Sequence, residues 1–291
     1  MKLRGARVAV DAHHAARFDP EFHGSADADV SGFLLLPGLI NAHDHLEFNL
    51  FPRLGNRVYA NATDWAHDIY RPASSPVREH LCVPKRTRLI WGGIKNLLSG
   101  VTAVAHHNPY DPVFDDNFPV RVLREFDWAH SLAFSPDPGP EFRGGSARRP
   151  FLIHAAEGID ENAAEEIRRL DEMGLLTDRT VLVHALAVRA EDIPMLEAKG
   201  VSIVWCPTSN LATYGRTLSR DVLNSRIPLA LGSDSAITAD GDLLDEIAAA
   251  LRLRLAGAEQ IYEMVTSRPA SILRFGETTG DFVGVRDEGQ T

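Results

Sequence analysis

Short apolar runs recur along the chain, and most of them stop at a histidine, an aspartate or a Cys-Pro step. Phe33-Leu34-Leu35-Leu36-Pro37-Gly38-Leu39-Ile40-Asn41 leads to His43-Asp44-His45, and Val101-Thr102-Ala103-Val104-Ala105 leads to His106-His107-Asn108. Phe151-Leu152-Ile153 ends at His154, Val181-Leu182-Val183 at His184, Val201-Ser202-Ile203-Val204-Trp205 at Cys206-Pro207, and Pro228-Leu229-Ala230-Leu231 at Gly232-Ser233-Asp234. A short continuous apolar run reads as a strand buried on both faces, as in a parallel sheet. Between the runs the period becomes helical. Leu89, Ile90, Ile94 and Leu97 predict a helix over Lys85 to Leu98 with Gly100 past its end. Asp160 is placed to cap a helix carrying Ala163, Ile167 and Leu170 on one face. Further helices are expected over Ile193 to Ala198, Leu243 to Leu255, Glu259 to Ser267 and Pro269 to Phe275. A short helix is read over Val120 to Phe126 and a third strand over Ser131 to Ser135. Pro136 to Pro150 and residues 46–79 read as loops. Residues 1–32, with Val8-Ala9-Val10 and the turn signals Asp19-Pro20 and His23-Gly24-Ser25, form a small β-rich lead-in. Repeated strand–helix units of this length predict an α/β protein built on a parallel sheet, closed or open.

Composition narrows the class. The 291 residues are 44% hydrophobic and 24% charged, which excludes a disordered chain and suits one α/β barrel of about 250 residues. The net charge of −10 argues against nucleic acid or an anionic membrane as the main partner, and a small-molecule substrate is expected. Two cysteines, Cys82 and Cys206, make no disulfide framework, and the N-terminus is a poor signal peptide; a cytoplasmic protein is expected. No window has about 18 uninterrupted apolar residues, so no membrane span is expected. The segment 46–79 carries Phe48, Phe51, Tyr59, Trp65, His67 and Tyr70 directly after the first histidine pair. It suits a lid, a contact in a homo-oligomer or local core, and the sequence leaves these open.

Twelve histidines against two cysteines raise the question of where the imidazoles fall. Parallel strands closed into a barrel bring all their C-terminal ends to one face. His43 with His45, then His154, His184 and Asp234, would converge there. Residues i and i+2 of a strand point to one side, so His-x-His is a workable ligand pair. Imidazoles with a carboxylate suit zinc, or iron or manganese, with one position left for water. Each signal alone is weak: a lone His-x-His is more often incidental, Asp234 can cap a turn, and Glu157 can simply meet the positive end of the next helix. Their joint placement after similar apolar runs is what points to a metal site. In His154-Ala155-Ala156-Glu157 the carboxyl lies close enough to shuttle protons.

Taken in order, these segments resemble a family. Leu36-Pro37-Gly38-Leu39-Ile40-Asn41-Ala42-His43-Asp44-His45 resembles the first-strand motif of the amidohydrolase superfamily, and Gly100-Val101-Thr102-Ala103-Val104 its second. His154-Ala155-Ala156-Glu157-Gly158, Val183-His184, Trp205-Cys206-Pro207-Thr208-Ser209-Asn210 and Gly232-Ser233-Asp234-Ser235 resemble the later motifs. The branch holding cytosine and guanine deaminases and triazine hydrolases is the most similar, over about residues 33–285. The resemblance implies a TIM-like (β/α)8 barrel, here residues 33–275, and a small β-sandwich from the chain ends, residues 1–32 with 276–291. It implies one divalent metal held by His43, His45, His154 and Asp234. Asp234 would also take the water's proton, His184 would orient or polarise the water or substrate, and Glu157 would protonate the leaving group. None of Lys2, Lys85, Lys95 and Lys199 ends a strand where two-metal relatives carry a carboxylated lysine, so one metal is expected. Trp205 stands where the deaminase branch often has histidine, so it and Asn210 are expected at the substrate, as is one of His106 and His107. Only loop is read between the third strand and Phe151, so one strand–helix unit is expected to be missing, and the sandwich to be incomplete. The function implied is a metal-dependent aminohydrolase whose metal-bound hydroxide attacks a C–N bond of a cyclic amidine or heterocycle. The alternatives are a hydrolase of an amide, a lactam ring or another leaving group, and a barrel that binds a metabolite without turnover.

Overall fold

Each apolar run becomes a strand covered on both faces. The computed structural model describes residues 3–4, 7–8, 28–275 and 281–286; the turn signals at 19–25 and the strand residues Ala9 and Val10 lie outside them. The elements are β1 (Leu3–Arg4), β2 (Arg7–Val8), β3 (Ala28–Asp29), β4 (Phe33–Pro37) and β5 (Leu39–Asp44), then α1 (Ala62–Ile69), α2 (Val77–Leu81), α3 (Lys85–Leu98) and β6 (Val101–His106). There follow β7 (Arg121–Val122), β8 (Asp127–Ser131), α4 (Gly139–Gly144), β9 (Phe151–Ala155), α5 (Glu161–Glu172), β10 (Thr180–His184) and α6 (Ile193–Lys199). The remainder are β11 (Ser202–Trp205), α7 (Pro207–Tyr214), α8 (Arg220–Leu223), β12 (Leu229–Leu231), α9 (Leu243–Leu253), α10 (Ala258–Glu263), α11 (Ser267–Ile272) and β13 (Phe282–Arg286). All residues of β9 to β12 are buried. They pair in parallel in the order β12-β11-β10-β9-β8, and a second parallel sheet runs β5-β6-β7.

The pleat sorts the strand residues into two cores. Phe151, Ile153, Leu182, Ile203, Trp205, Leu229 and Leu231 face outward onto the helices, packed with Ile167, Leu170, Leu196 and Ala250. Their neighbours Leu152, Val181, Val183, Val204 and Ala230 pack with Ile40, Ala42, Ala103 and Ala105 of the other sheet. Period-2 alternation thus builds an inner core and an outer one from runs that are apolar throughout.

Several segments differ from the sequence reading. The first run is two strands, because its backbone changes partners at Gly38: Gly38 N donates to Asp281 O and Leu39 N to Gly100 O, and Gly38 itself lies against Thr102 with no room for a Cβ. Beyond that break β4 pairs antiparallel with β13 and parallel with β2, so segments from both chain ends meet in one small sheet. Arg121 is exposed between buried Val120 and Val122, which makes strand β7 where a helix was expected. β8 lies four residues earlier than expected; Phe134 N donates to Ser131 Oγ and turns the chain where the strand had been placed. Residues 123–126 join β7 to β8 directly, so the shortfall in this region is a helix and not a strand. Among the described residues no ladder joins β7 to β8. In the expected loop over 136–150, Phe142 of α4 packs edge-on against Phe151 and under the Arg179 guanidinium. The segment 46–79 holds α1 and α2; the Asn61 side chain accepts from Asp64 N and caps α1.

The two parallel sheets meet where β5 and β12 end. Asp234 N donates to His43 O at 3.0 Å and His45 N to Asp234 O at 3.4 Å. A polar knot fixes this seam. The buried Asp44 carboxylate accepts from Asn41 Nδ2 at 3.2 Å, Asn49 Nδ2 at 2.6 Å, Asn96 Nδ2 at 2.8 Å and Ser233 Oγ at 3.2 Å. Gly232 is required at the seam, because a Cβ there would come within 2.7 Å of His43 Cβ and 2.9 Å of Val204 Cγ1. Gly232→Ala is therefore expected to lower stability by about 1–3 kcal/mol as an overpacking change, measured as a lower urea midpoint at unchanged slope.

Candidate metal centre and active site

The strand ends project His43 and His45 from β5, His154 from β9, His184 from β10 and Asp234 from beyond β12. His154 Nε2 lies 3.3 Å from both His45 Nε2 and His43 Nε2. Asp234 Oδ1 lies 3.6 Å from His43 Nε2 and 3.8 Å from His45 Nε2. His184 Nε2 is 4.0 Å from Asp234 Oδ2 and 3.6 Å from Glu157 Oε1. Ala156, His184, Ala185 and Asp234 have φ of 51°, 70°, 50° and 57°. Left-handed backbone costs about 1 kcal/mol or more in non-glycine residues, and it turns the chain at the strand ends so that these side chains meet.

The outer hydrogen bonds decide which nitrogen of each ring faces the centre. His154 Nδ1–H donates to His130 O at 2.7 Å, and His184 Nδ1–H donates to Asn210 Oδ1 at 3.0 Å. His107 Nε2–H donates to Ala129 O at 3.0 Å, so its Nδ1 is an acceptor for His43 Nδ1–H at 3.3 Å. His45 Nδ1–H donates to Asn108 Oδ1 at 2.9 Å. Every Nε2 at the centre therefore carries a lone pair. Burial supports the same state: it drives the His43 imidazole down to about 3 and His154 well below its usual range. Burial pushes the Asp234 carboxyl upward, but the adjoining His43, His184 and His45 rings hold it well below the carboxylate range.

Three Nε2 lone pairs and a carboxylate oxygen thus face one another with no proton between them, an arrangement that repels unless a cation fills it. A tetrahedral ion with ligand bonds of about 2.0–2.2 Å needs donor separations of about 3.3–3.6 Å. The His154–His43 and His154–His45 separations of 3.3 Å and the His43–Asp234 separation of 3.6 Å fall in that range, and His45–Asp234 is wider at 3.8 Å. His43, His45 and His154 form one group with donor atoms within 4.8 Å of one another, and His43, His184 and Asp234 form another.

A cavity of about 470 Å³ opens over the centre, reached by His45, His154, Glu157, His184 and Asp234. Ala62, Trp65, Ala66 and Ile69 of α1 line it, together with Phe134 and Ile237. Tyr59 packs beneath with Leu186 and Tyr214, so the aromatic segment serves both as cover and as local core. Glu157 accepts from Tyr214 Oη at 2.6 Å, and burial raises its carboxyl.

His106, His107, Trp205 and Asn210 were expected at the substrate, and none of them lines the cavity. His107 and Asn210 stand behind His43 and His184. His106 faces Glu47. Trp205 belongs to the outer core, where its indole N–H donates to Thr217 Oγ1 at 2.7 Å. The strand alternation that sends Val204 inward sends Trp205 out. Three residues went unassigned from sequence. His130 lines the cavity and its carbonyl holds His154; it sits inside β8, ahead of the apolar Leu132-Ala133-Phe134 that marks a strand in the sequence. Ser209 Oγ donates to Asp234 Oδ2 at 2.8 Å, and Tyr214 anchors Glu157; both sit on α7.

No family model matches the chain. A 5-methylthioadenosine/S-adenosylhomocysteine deaminase from Pyrococcus furiosus is 30% identical over 310 aligned positions, covering 84% of this chain and 71% of the relative. The chain belongs to the amidohydrolase superfamily. A deaminase of the same name from Natronomonas pharaonis is 26% identical over 81% of this chain, which spans 66% of that relative. The chain thus spans about two thirds of the length of such relatives. In fold it is similar to an atrazine chlorohydrolase from Arthrobacter aurescens TC1 complexed with zinc, with a TM-score of 0.72 and 19% identity over 90% of this chain and 78% of the other. An adenosine deaminase from Xanthomonas campestris with bound zinc gives 0.67 and 20% over 90% and 74%.

Within this superfamily member, α7 is anchored from α9. Thr208 N donates to Glu246 Oε2 at 2.9 Å and Thr208 Oγ1 donates to Glu246 Oε1. Burial pushes the Glu246 carboxyl up to about 8. A carboxyl raised in the folded state is protonated there while the unfolded chain has lost its proton, so its stabilisation is full below about pH 4.5 and is lost as pH rises toward about 8. Thermal melts from about pH 5 to about pH 9 are expected to show this decline, and Glu246→Gln to flatten it.

Proposed function

We propose that the chain is a metal-dependent aminohydrolase, adding water across a C–N bond of a heteroaromatic or cyclic amidine carbon and releasing ammonia. The observation that carries this reading is the cluster of Nε2 lone pairs with Asp234, opening on a cavity that also holds Glu157. Zinc suits three imidazoles and one carboxylate best, and iron or manganese suit them too. A divalent ion held by His43, His45, His154 and Asp234 would supply Lewis acidity that makes water a better nucleophile near neutral pH. Asp234 keeps its carboxylate ionised and accepts the proton that the attacking water loses; the Ser209 hydrogen bond on Oδ2 fixes its orientation. Glu157, with Tyr214 on Oε1, delivers a proton to the departing nitrogen. His184 Nε2, between Glu157 and Asp234, orients the reacting group.

The named activities of the relatives favour an amine on a purine-like ring, and the aromatic and apolar cavity walls suit a flat heterocycle. The intact ligand set weighs against a barrel that only binds. We also propose a (β/α)8 barrel over residues 33–275 and a β-sandwich remnant from residues 1–32 with 276–291, with β4 shifted to the small sheet that it forms with β2 and β13. No helix among the described residues is long and apolar enough to cross a membrane. Cys82 and Cys206 are free thiols, in keeping with a cytoplasmic setting.

Metal analysis of protein purified without chelators is expected to find about one divalent ion per chain, and far less in the double variant His43→Ala, His45→Ala. Equal content in both would overturn the site. Ammonia release from adenosine, 5-methylthioadenosine and aminotriazines should stop on chelation and return with zinc. Glu157→Gln should keep its metal and lower kcat by roughly 10²–10⁴.

A further inference from the structure

Behind His45 lies a chain of side chains that reaches past Asn108 to Glu47 and His106, two groups with no part in the chemistry above. His106 ends β6, Glu47 follows His45 by two residues, and Asn108 begins the loop after β6. None of the three lines the cavity. The backbone N–H of Leu46 donates to His106 Nδ1 at 3.2 Å, so the single proton of this neutral, buried ring sits on Nε2. His106 Nε2 points at Glu47 Oε2, 3.3 Å away; both atoms are sealed from solvent and neither has a hydrogen bond of ordinary geometry. Asn108 Nδ2 donates to the other oxygen, Glu47 Oε1, at 2.5 Å.

An asparagine amide is nearly symmetric in shape, and its contact with His45 could be made by either end. Its oxygen accepts from Nδ1–H and leaves a lone pair on His45 Nε2. Its NH₂ would donate to Nδ1 and drive the imidazole proton onto Nε2, where it blocks a metal bond. A carboxylate only accepts, so Glu47 removes the second option by claiming the NH₂ end. We propose that Glu47, whose carboxylate takes the NH₂ end of Asn108, is a positioning residue that acts through Asn108 to fix the His45 tautomer and so sets the affinity for the divalent ion. This rests on the reading of His45 as a ligand.

The test is zinc affinity of the metal-depleted full chain, measured by competition with a chromophoric chelator. Glu47→Gln keeps the shape but can offer either end to Asn108. It is expected to weaken zinc binding roughly 10–100-fold, the usual size of a change behind a ligand. Asn108→Ala, in a half-buried loop, removes the acceptor itself and is expected to do the same. Combining Glu47→Gln with Asn108→Asp restores an obligate acceptor for His45 and a donor beside it, and should recover most of the loss, which a merely structural role would not. Proton–nitrogen correlation NMR of the metal-depleted protein should show the His45 proton on Nδ1 in the wild type and the double variant, and mixed tautomers in Glu47→Gln. Wild-type affinity in Glu47→Gln, or no recovery in the double variant, overturns the proposal. Wild-type affinity in His45→Ala would instead overturn the ligand reading beneath it.

Discussion

The seam between β5 and β12 is the constraint on which the rest of the molecule depends. The two sheets share an inner core, but backbone bonding between them there reduces to a few contacts around Asp44 and Asp234. One buried carboxylate, Asp44, carries the junction by accepting from side chains of β5, the following loop, α3 and the β12 end. A buried carboxylate without such donors would be prohibitive; with them, it ties four segments to one point. His43 and His45 flank it in sequence, and Asp234 follows Ser233, so the group that joins the sheets also brings the candidate metal donors face to face. The small size of Gly232 belongs to the same arrangement.

Once those donors are in place, the imidazoles must be neutral and correctly protonated. Desolvation supplies the first condition, since charged rings packed this closely would repel. Acceptors behind each ring supply the second: two backbone carbonyls, at His130 and Ala129, and two asparagine oxygens, at Asn210 and Asn108. The carbonyls belong to β8, the strand beside the unpaired edge. The metal-binding geometry therefore reaches into the part of the sheet with the fewest backbone bonds.

Much of this was legible in the sequence, for a physical reason. A strand buried on both faces must be apolar throughout, and an apolar run that stops at a histidine marks the strand end as well as a candidate ligand. That logic located β5, β6, β9, β10, β11 and β12, and with them His43, His45, His154, His184 and Asp234. It failed where the signal is short or ambiguous. β7 is two residues long, and one exposed arginine between valines is compatible with either period. The side on which a polar residue ends up was also hidden: Trp205 faces the helices because of a parity that only pairing defines, and His106 and His107 lie behind the ligands. Asn108, Ser209 and Tyr214 were invisible as functional groups, because their roles depend on what lies across space from them.

The left-handed residues at the strand ends have a consequence for how such a site persists. His184 and Asp234 sit in a conformation that glycine or asparagine adopts at lower cost, and their burial adds desolvation to strain. Glycine or asparagine at these positions would relieve that strain while removing the side chain that faces the centre. Relief of backbone strain and loss of the site's chemistry are thus the same substitution.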